Sequence, residues 1–181
     1  VIQMAVDEAR EAGIEHFVFV TGRNKNAIKD HFDKQTELES VLRKRGKSDE
    51  LELLESDLPS AGQTSFTRQQ EPLGLGHAVW CARNMIGDEP FALLLPDMVM
   101  QSEPGCLKQM MDIYAETGGG NVIAVETVPW AEVSRYGVVD FSKTDGLALA
   151  INGMIEKPER DKAPSNHIIS GRYILQPEIF A

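Results

Sequence analysis

Three short stretches hold residues whose types and spacing bear on chemistry. In RQQEPLGLGHAV, residues 68–79, Gly74 and Gly76 stand one residue apart ahead of an apolar helical pattern. Glycines let a backbone approach a ligand closely, and a helix N-terminus favours an anion. A dinucleotide fingerprint would run a strand directly into G-x-G-x-x-G/A, with an acidic residue about 20 positions on to take a ribose. Asp97 stands 23 residues beyond Gly74, but Val79 occupies the third glycine's place and Glu71-Pro72 interrupts the approach, so that reading is set aside. A P-loop is excluded because no G-x-x-x-x-G-K-[ST] occurs. Spacing alone leaves a tight loop before a helix, with or without a ligand.

Asp97 follows FALLLP, just past the carboxyl end of an apolar run, where ligands sit in open α/β sheets. A carboxylate there can hold Mg²⁺, which takes one or two carboxylates plus substrate phosphates. An Asx-type turn residue explains the same position equally well. Glu156-Lys157, in IEKP, sets an acid beside a base. At a strand end, alternation would send the two side chains to opposite faces, and an exposed turn pair is the commoner origin of such a dipeptide. His77 and His167 lack partners nearby in sequence, and Met110, Met111 and Trp130 read as packing.

The elements that must position these residues follow from periodicity. Ile2, Ala5, Val6 and Ala9 repeat at helical spacing before Gly13, so residues 1–12 read as a helix, and HFVFV at 16–20 reads as a strand. Residues 24–56 alternate charge along helical apolar positions, as exposed helices broken at Lys44–Asp49. Strand is expected at Thr64–Arg68, helix at Leu75–Met85, and a strand buried on both faces at Phe91–Leu95. Leu107, Met110, Met111 and Tyr114 mark a further helix, and Asn121–Val128 a further strand. This alternation predicts an α/β fold with a largely parallel sheet. From Tyr136 the pattern becomes short strands, at Gly137–Phe141, Ala148–Glu156 and Ile168–Leu175, read as a mixed β layer over one side of that sheet.

Composition narrows the function classes. A chain of 181 residues suits one core, and 42% hydrophobic with 25% charged residues is ordinary for a soluble globular protein. No apolar run approaches the roughly 18 residues of a membrane span, and no signal peptide is visible. A net charge of −10 and a pI near 4.9 disfavour a nucleic-acid partner. Cys81 and Cys106 lie in no CxxC or zinc spacing and read as reduced core thiols, consistent with the cytoplasm.

The blocks QEPLGLGHAV, LLLPD, SRYGVVD, IEKP and SGRYIL, in that order, resemble one family, the bacterial UTP–glucose-1-phosphate uridylyltransferases of the sugar-nucleotidyltransferase superfamily. The resemblance runs along all of residues 1–181. It implies a Rossmann-like three-layer, mostly parallel sheet of the nucleotide-diphospho-sugar transferase type, with the mixed β layer in the C-terminal third. It divides the chain into a nucleotide-binding part, 1–128, and a sugar-binding part, 129–181. By resemblance, Gln69 reads the uracil edge, Gly74 lets the backbone approach the base where a Cβ would collide, and Asp97 ligates Mg²⁺. Gly137 lets the sugar lie against the main chain, Glu156 accepts from ring hydroxyls, Lys157 neutralises the glucose 1-phosphate group, and Tyr173 lines the sugar pocket. Lys157 and Asp97 thus carry catalysis. Met98 stands where the family often has a second polar or acidic residue. The implied reaction joins UTP and glucose 1-phosphate into UDP-glucose and pyrophosphate, in a cytoplasmic homo-oligomer, dimer or tetramer. A relative using dTTP or another sugar 1-phosphate, or a non-catalytic binding module, remains open. The family's N-terminal strand and glycine-rich G-x-G-T-R loop would precede Val1, and a part with a second metal-binding Asp would follow Ala181. These 181 residues alone are therefore expected to make no UDP-glucose and to be poorly soluble.

Overall fold

The structure, a computed structural model, describes residues 1–143 and 148–181. In chain order the elements are α1 (Ile2–Glu11), β1 (Phe17–Thr21), α2 (Asn26–Phe32), α3 (Thr36–Lys44), α4 (Ser48–Ser56), β2 (Thr64–Arg68), α5 (Leu75–Trp80) and α6 (Arg83–Ile86). They continue as β3 (Phe91–Leu94), α7 (Cys106–Glu116), β4 (Val122–Thr127), β5 (Gly137–Lys143), β6 (Leu149–Glu156) and β7 (His167–Leu175). Two compact units divide most of the chain: a larger one of Gln3–Gly13 with Glu89–Ile179, and a smaller one of Ile14–Asp88. None of the described helices is long and apolar enough to cross a membrane.

In the smaller unit β1 and β2 pair in parallel, Phe17 against Thr64 through Thr21 against Arg68. Residues 17–20 are all apolar, and the two-residue alternation of a strand puts Phe17 and Phe19 on one face of β1. Phe19 stacks on Phe32 of α2 at 4.8 Å and on Phe66 of β2 at 5.1 Å, and Phe17 and Phe32 are buried. Residues 24–56 form three helices, with breaks at Asp33–Gln35 and Arg45–Lys47. The single helix expected over Leu75–Met85 is instead two short ones. The Thr67 hydroxyl takes the Cys81 carbonyl at 3.2 Å, and Ala82 N–H bonds Val79 O at 3.0 Å, a tightened i, i+3 turn that ends α5.

In the larger unit β7 is the organiser. It runs antiparallel to β3, Phe91 against Leu175 through Leu94 against Arg172, and antiparallel to β4, Val122 against Ile174 through Thr127 against His167. β5 joins β7 at Val138–Ile168 and pairs along its length with β6. β3 and β4 therefore share a direction with β7 between them. The α/β class expected from the sequence is what the structure shows, and among direct strand pairs of the described residues β1–β2 is the parallel one. The unit's core gathers Val133, Val138 and Ile168, with Val128, Tyr136 and Ala163 against them. β3 is only partly buried, not enclosed on both faces, and it is an edge strand paired with β7 alone among the described residues.

Candidate functional site

The residues given site roles by the resemblance fall on both units, Gln69 and Gly74 on the smaller and Asp97, Gly137, Glu156, Lys157 and Tyr173 on the larger. On the smaller unit, Gln69 N–H bonds Thr21 O at 2.9 Å, which extends the β1–β2 ladder one residue and fixes where the loop begins. The loop doubles back so that Gln69 Nε2 donates to Gly74 O at 2.9 Å, the same carbonyl that accepts Ala78 N–H at 3.2 Å in the first turn of α5. Gly74 sits at φ +94°, a region open essentially to glycine, and a Cβ built there meets no protein atom within 4 Å. The backbone conformation, not crowding within the chain, is what demands glycine. His77, without a partner in sequence terms, comes to 3.1 Å from Gln69 Nε2 through its Nδ1.

On the larger unit, Asp97 lies exposed in the turn after β3. Its carboxylate makes no hydrogen bond or ion pair among the described residues. The turn is held from below. Arg172, 1% exposed, donates through Nη1 to Leu95 O at 3.0 Å and through Nη2 to Met98 O at 2.9 Å, gripping both ends of the turn. Glu8 of α1 faces Arg172, with Oε1 and Oε2 each 3.1 Å from Nε and Oε2 2.9 Å from Nη2. The same Glu8 accepts Leu107 N–H at 3.1 Å, and Glu11 accepts Gly105 N–H at 2.8 Å, so two carboxylates of α1 cap the start of α7. Burial and the Glu8 charge beside it push the Cys106 thiol up, which keeps it protonated. Met98 contributes its carbonyl to Arg172 and its N–H to Leu95 O at 3.3 Å. Sequence reasoning missed Arg172 and Glu8. The available signals were an arginine inside the apolar run of SGRYIL and a glutamate on the apolar face of α1.

Glu156, Lys157, Gly137 and Tyr173 form a second group. Gly137 opens β5 directly opposite Glu156, which closes β6. A Cβ at Gly137 would stand 3.2 Å from Glu156 Oε2 and 3.2 Å from Ile169 Cδ1, so the space over Gly137 is filled by the carboxylate itself. Strand alternation predicts that Lys157 points away from Glu156. It does not: Lys157 adopts φ +47°, which breaks the alternation, and its Nζ lies 3.4 Å from Glu156 Oε1. Lys157 N–H is tied to Tyr136 O at 3.0 Å, and Pro158 behind it is buried. A residue before proline normally stays extended, so this lysine is strained, at a cost of about 1–3 kcal/mol. Burial pushes the Tyr173 phenol up, with the Glu156 charge adding to it, so the phenol is neutral at pH 7 and able to donate or accept. We expect Lys157→Gly to raise stability by up to about 1 kcal/mol, seen as a higher urea midpoint at unchanged slope. A lower midpoint would show that the left-handed lysine is not strained.

His167 joins none of these groups. Its ring meets Phe141 edge-on at 4.6 Å with Nδ1 buried and unpartnered. The two cysteines are free thiols. No group of three or more metal-ligating side chains occurs among the described residues.

Comparison with known proteins places this geometry in context. A family model described as nucleotidyl transferase matches residues 1–181. The UTP–glucose-1-phosphate uridylyltransferase of Bacillus subtilis is 48% identical over 99% of this chain, which spans 61% of that relative's length. A solved UTP-bound UGPase from Acinetobacter baumannii superposes with a TM-score of 0.90 at 38% identity, covering 99% of this chain and 64% of its own. A UDP-glucose pyrophosphorylase complexed with UDP-glucose gives 0.84, also at 38%, covering 99% and 65%.

Proposed function

The chain belongs to the nucleotidyl transferase family, and on that premise we propose that its gene product transfers a uridylyl group from UTP to glucose 1-phosphate, releasing UDP-glucose and pyrophosphate. The observation that carries the reading is the group at the end of β6, where strained backbone turns Lys157 onto the carboxylate that covers Gly137. An exposed ion pair is worth at most about 1 kcal/mol, which does not offset strain of about 1–3 kcal/mol. A function that needs the ammonium at that point accounts for the difference. The names of the relatives support uridine and glucose as the groups recognised.

Residues 1–128 then serve the nucleotide and 129–181 the sugar. Gln69 Oε1 accepts from the N3–H of uracil, and Gly74 lets the base approach the main chain. Glu156 accepts from sugar hydroxyls, with Tyr173 beside it. Lys157 pairs with the sugar phosphate, a stronger partner than the exposed carboxylate it now touches. The sugar phosphate oxygen attacks the α-phosphorus of UTP, the bond from that phosphorus to the bridging oxygen breaks, and pyrophosphate leaves with the electron pair. No covalent nucleophile is needed, so the residues act by placing two anions and screening their repulsion. Asp97, with its free carboxylate, would hold Mg²⁺, which when bound neutralises phosphate charge. We place the protein in the cytoplasm, where free thiols persist, as a homo-oligomer.

The direct test is pyrophosphate release by the complete gene product with UTP, glucose 1-phosphate and Mg²⁺. No release with UTP but release with dTTP would reassign the nucleotide. Gln69→Ala should raise the KM for UTP and relax base choice by about 1–3 kcal/mol, roughly 5- to 150-fold, as a site built to hydrogen-bond a base loses its partner. Lys157→Ala should weaken glucose 1-phosphate binding and turnover together, whereas Glu156→Ala should mainly blur discrimination among hexose 1-phosphates. Identical profiles for the two would make the pair a structural turn.

A further inference from the structure

We propose that His77 is a positioning residue for base selection: by accepting from Gln69 it fixes which end of that amide meets the nucleobase. The inference rests on the reading of Gln69 as the base-reading residue. A backbone carbonyl can only accept, so the Gln69 atom 2.9 Å from Gly74 O is the amide nitrogen. That same nitrogen lies 3.1 Å from His77 Nδ1. With one amide hydrogen directed to Gly74 O, the other is directed to Nδ1, which must therefore be the acceptor, and the ring proton sits on Nε2. The ring is itself held, stacked 21° off parallel against Trp80 at 6.1 Å, with Cys81 Sγ 4.0 Å from Nδ1.

Both donors of the amide are thereby committed inside the loop. Gln69 Oε1 remains, and it has no partner among the described residues. The loop thus presents an acceptor to a base. Uracil and thymine offer a complementary N3–H, whereas cytosine places a lone pair there and the two acceptors repel. Two anchors matter because an amide flips readily between its ends. With Gly74 O and Nδ1 both accepting, the flipped amide meets two repulsions. With a donor in place of Nδ1, each orientation has one good and one bad contact, and the choice is lost.

The experiment is titration calorimetry of UTP and CTP on the complete gene product and its variants. The UTP-to-CTP affinity ratio should fall about tenfold or more in His77→Lys, which supplies only donors, and about threefold in His77→Phe, which keeps a stacking ring and one anchor. His77→Gln, which can still accept, should stay within about twofold of the parent. Glucose 1-phosphate affinity should be unchanged in all three, which separates base orientation from general loosening. Unchanged ratios in His77→Lys and His77→Phe, with Gln69→Ala collapsing the ratio, would overturn the role of His77 while leaving the base reading intact. An unchanged ratio in Gln69→Ala would remove the base reading itself, and this inference with it. If His77→Lys does not fold, the contrast between His77→Phe and His77→Gln decides alone: equal ratios overturn the proposal.

Discussion

Asp97→Asn in the complete gene product is expected to lower turnover about a thousandfold, equivalent to about 4 kcal/mol of transition-state stabilisation, while leaving the thermal midpoint within a few degrees. The reasoning is electrostatic. The amide keeps the size of the carboxylate, and since Asp97 makes no hydrogen bond or ion pair among the described residues, nothing in the fold depends on its charge. A neutral ligand at this position loses most of its hold on Mg²⁺, and two phosphate-bearing substrates then meet with their repulsion unscreened. Raising Mg²⁺ should recover part of the rate, because a weakened site can still be filled by mass action. Parent-like turnover at limiting Mg²⁺ would show that Asp97 is only a turn residue.

The second large effect concerns stability. Glu8→Ala should cost about 3–5 kcal/mol, because it leaves the buried Arg172 guanidinium without its counter-charge. That is a large share of the roughly 5–15 kcal/mol by which a domain is stable. Replacing both partners with apolar residues often repairs such a loss, but not here. Arg172 also holds the Leu95 and Met98 carbonyls, and Glu8 also holds Leu107 N–H. A Glu8→Met, Arg172→Met double variant would leave groups that depend on them unpaired, at about 1–3 kcal/mol for each that stays buried. Urea unfolding of the single and double variants tests this: a double variant as stable as the parent would mean that the network is replaceable packing. The same variant should also shift the Mg²⁺ dependence of the rate to higher Mg²⁺, since the turn that carries Asp97 loses both of its Arg172 clamps.

The candidate site was legible in the sequence to different depths at different residues. Asp97 was marked by a run of apolar residues stopped by proline, a local signal that needs no tertiary knowledge. Glu156 and Lys157 were visible as a dipeptide, but the rule of alternation placed them on opposite faces. Only the folded backbone, with Lys157 at φ +47° between Tyr136 O and a buried proline, turns them together. Gly74 stood out through its spacing from Gly76 and Gln69 through resemblance, whereas the role of His77 did not, because its partner lies eight residues away across a loop whose path no periodicity describes.

By itself the sequence determined the elements. The expected strand at Thr64–Arg68 is β2 as the structure has it, and apolar spacing near 3.6 or apolar runs marked most other elements to within a few residues, since burial of one face is a local demand. It also determined the class, through the alternation of helix and strand. Tertiary structure alone decided that β7 lies between β3 and β4, because strand order depends on pairings between residues some 50 to 80 positions apart, such as Val122 with Ile174 and Leu94 with Arg172. It likewise decided that Arg172 and Glu8, 164 residues apart, share one buried ion pair beneath the Asp97 turn. A charge enters a core only where a partner and enough carbonyls meet it, and that meeting is a property of the assembled chain rather than of any stretch of it.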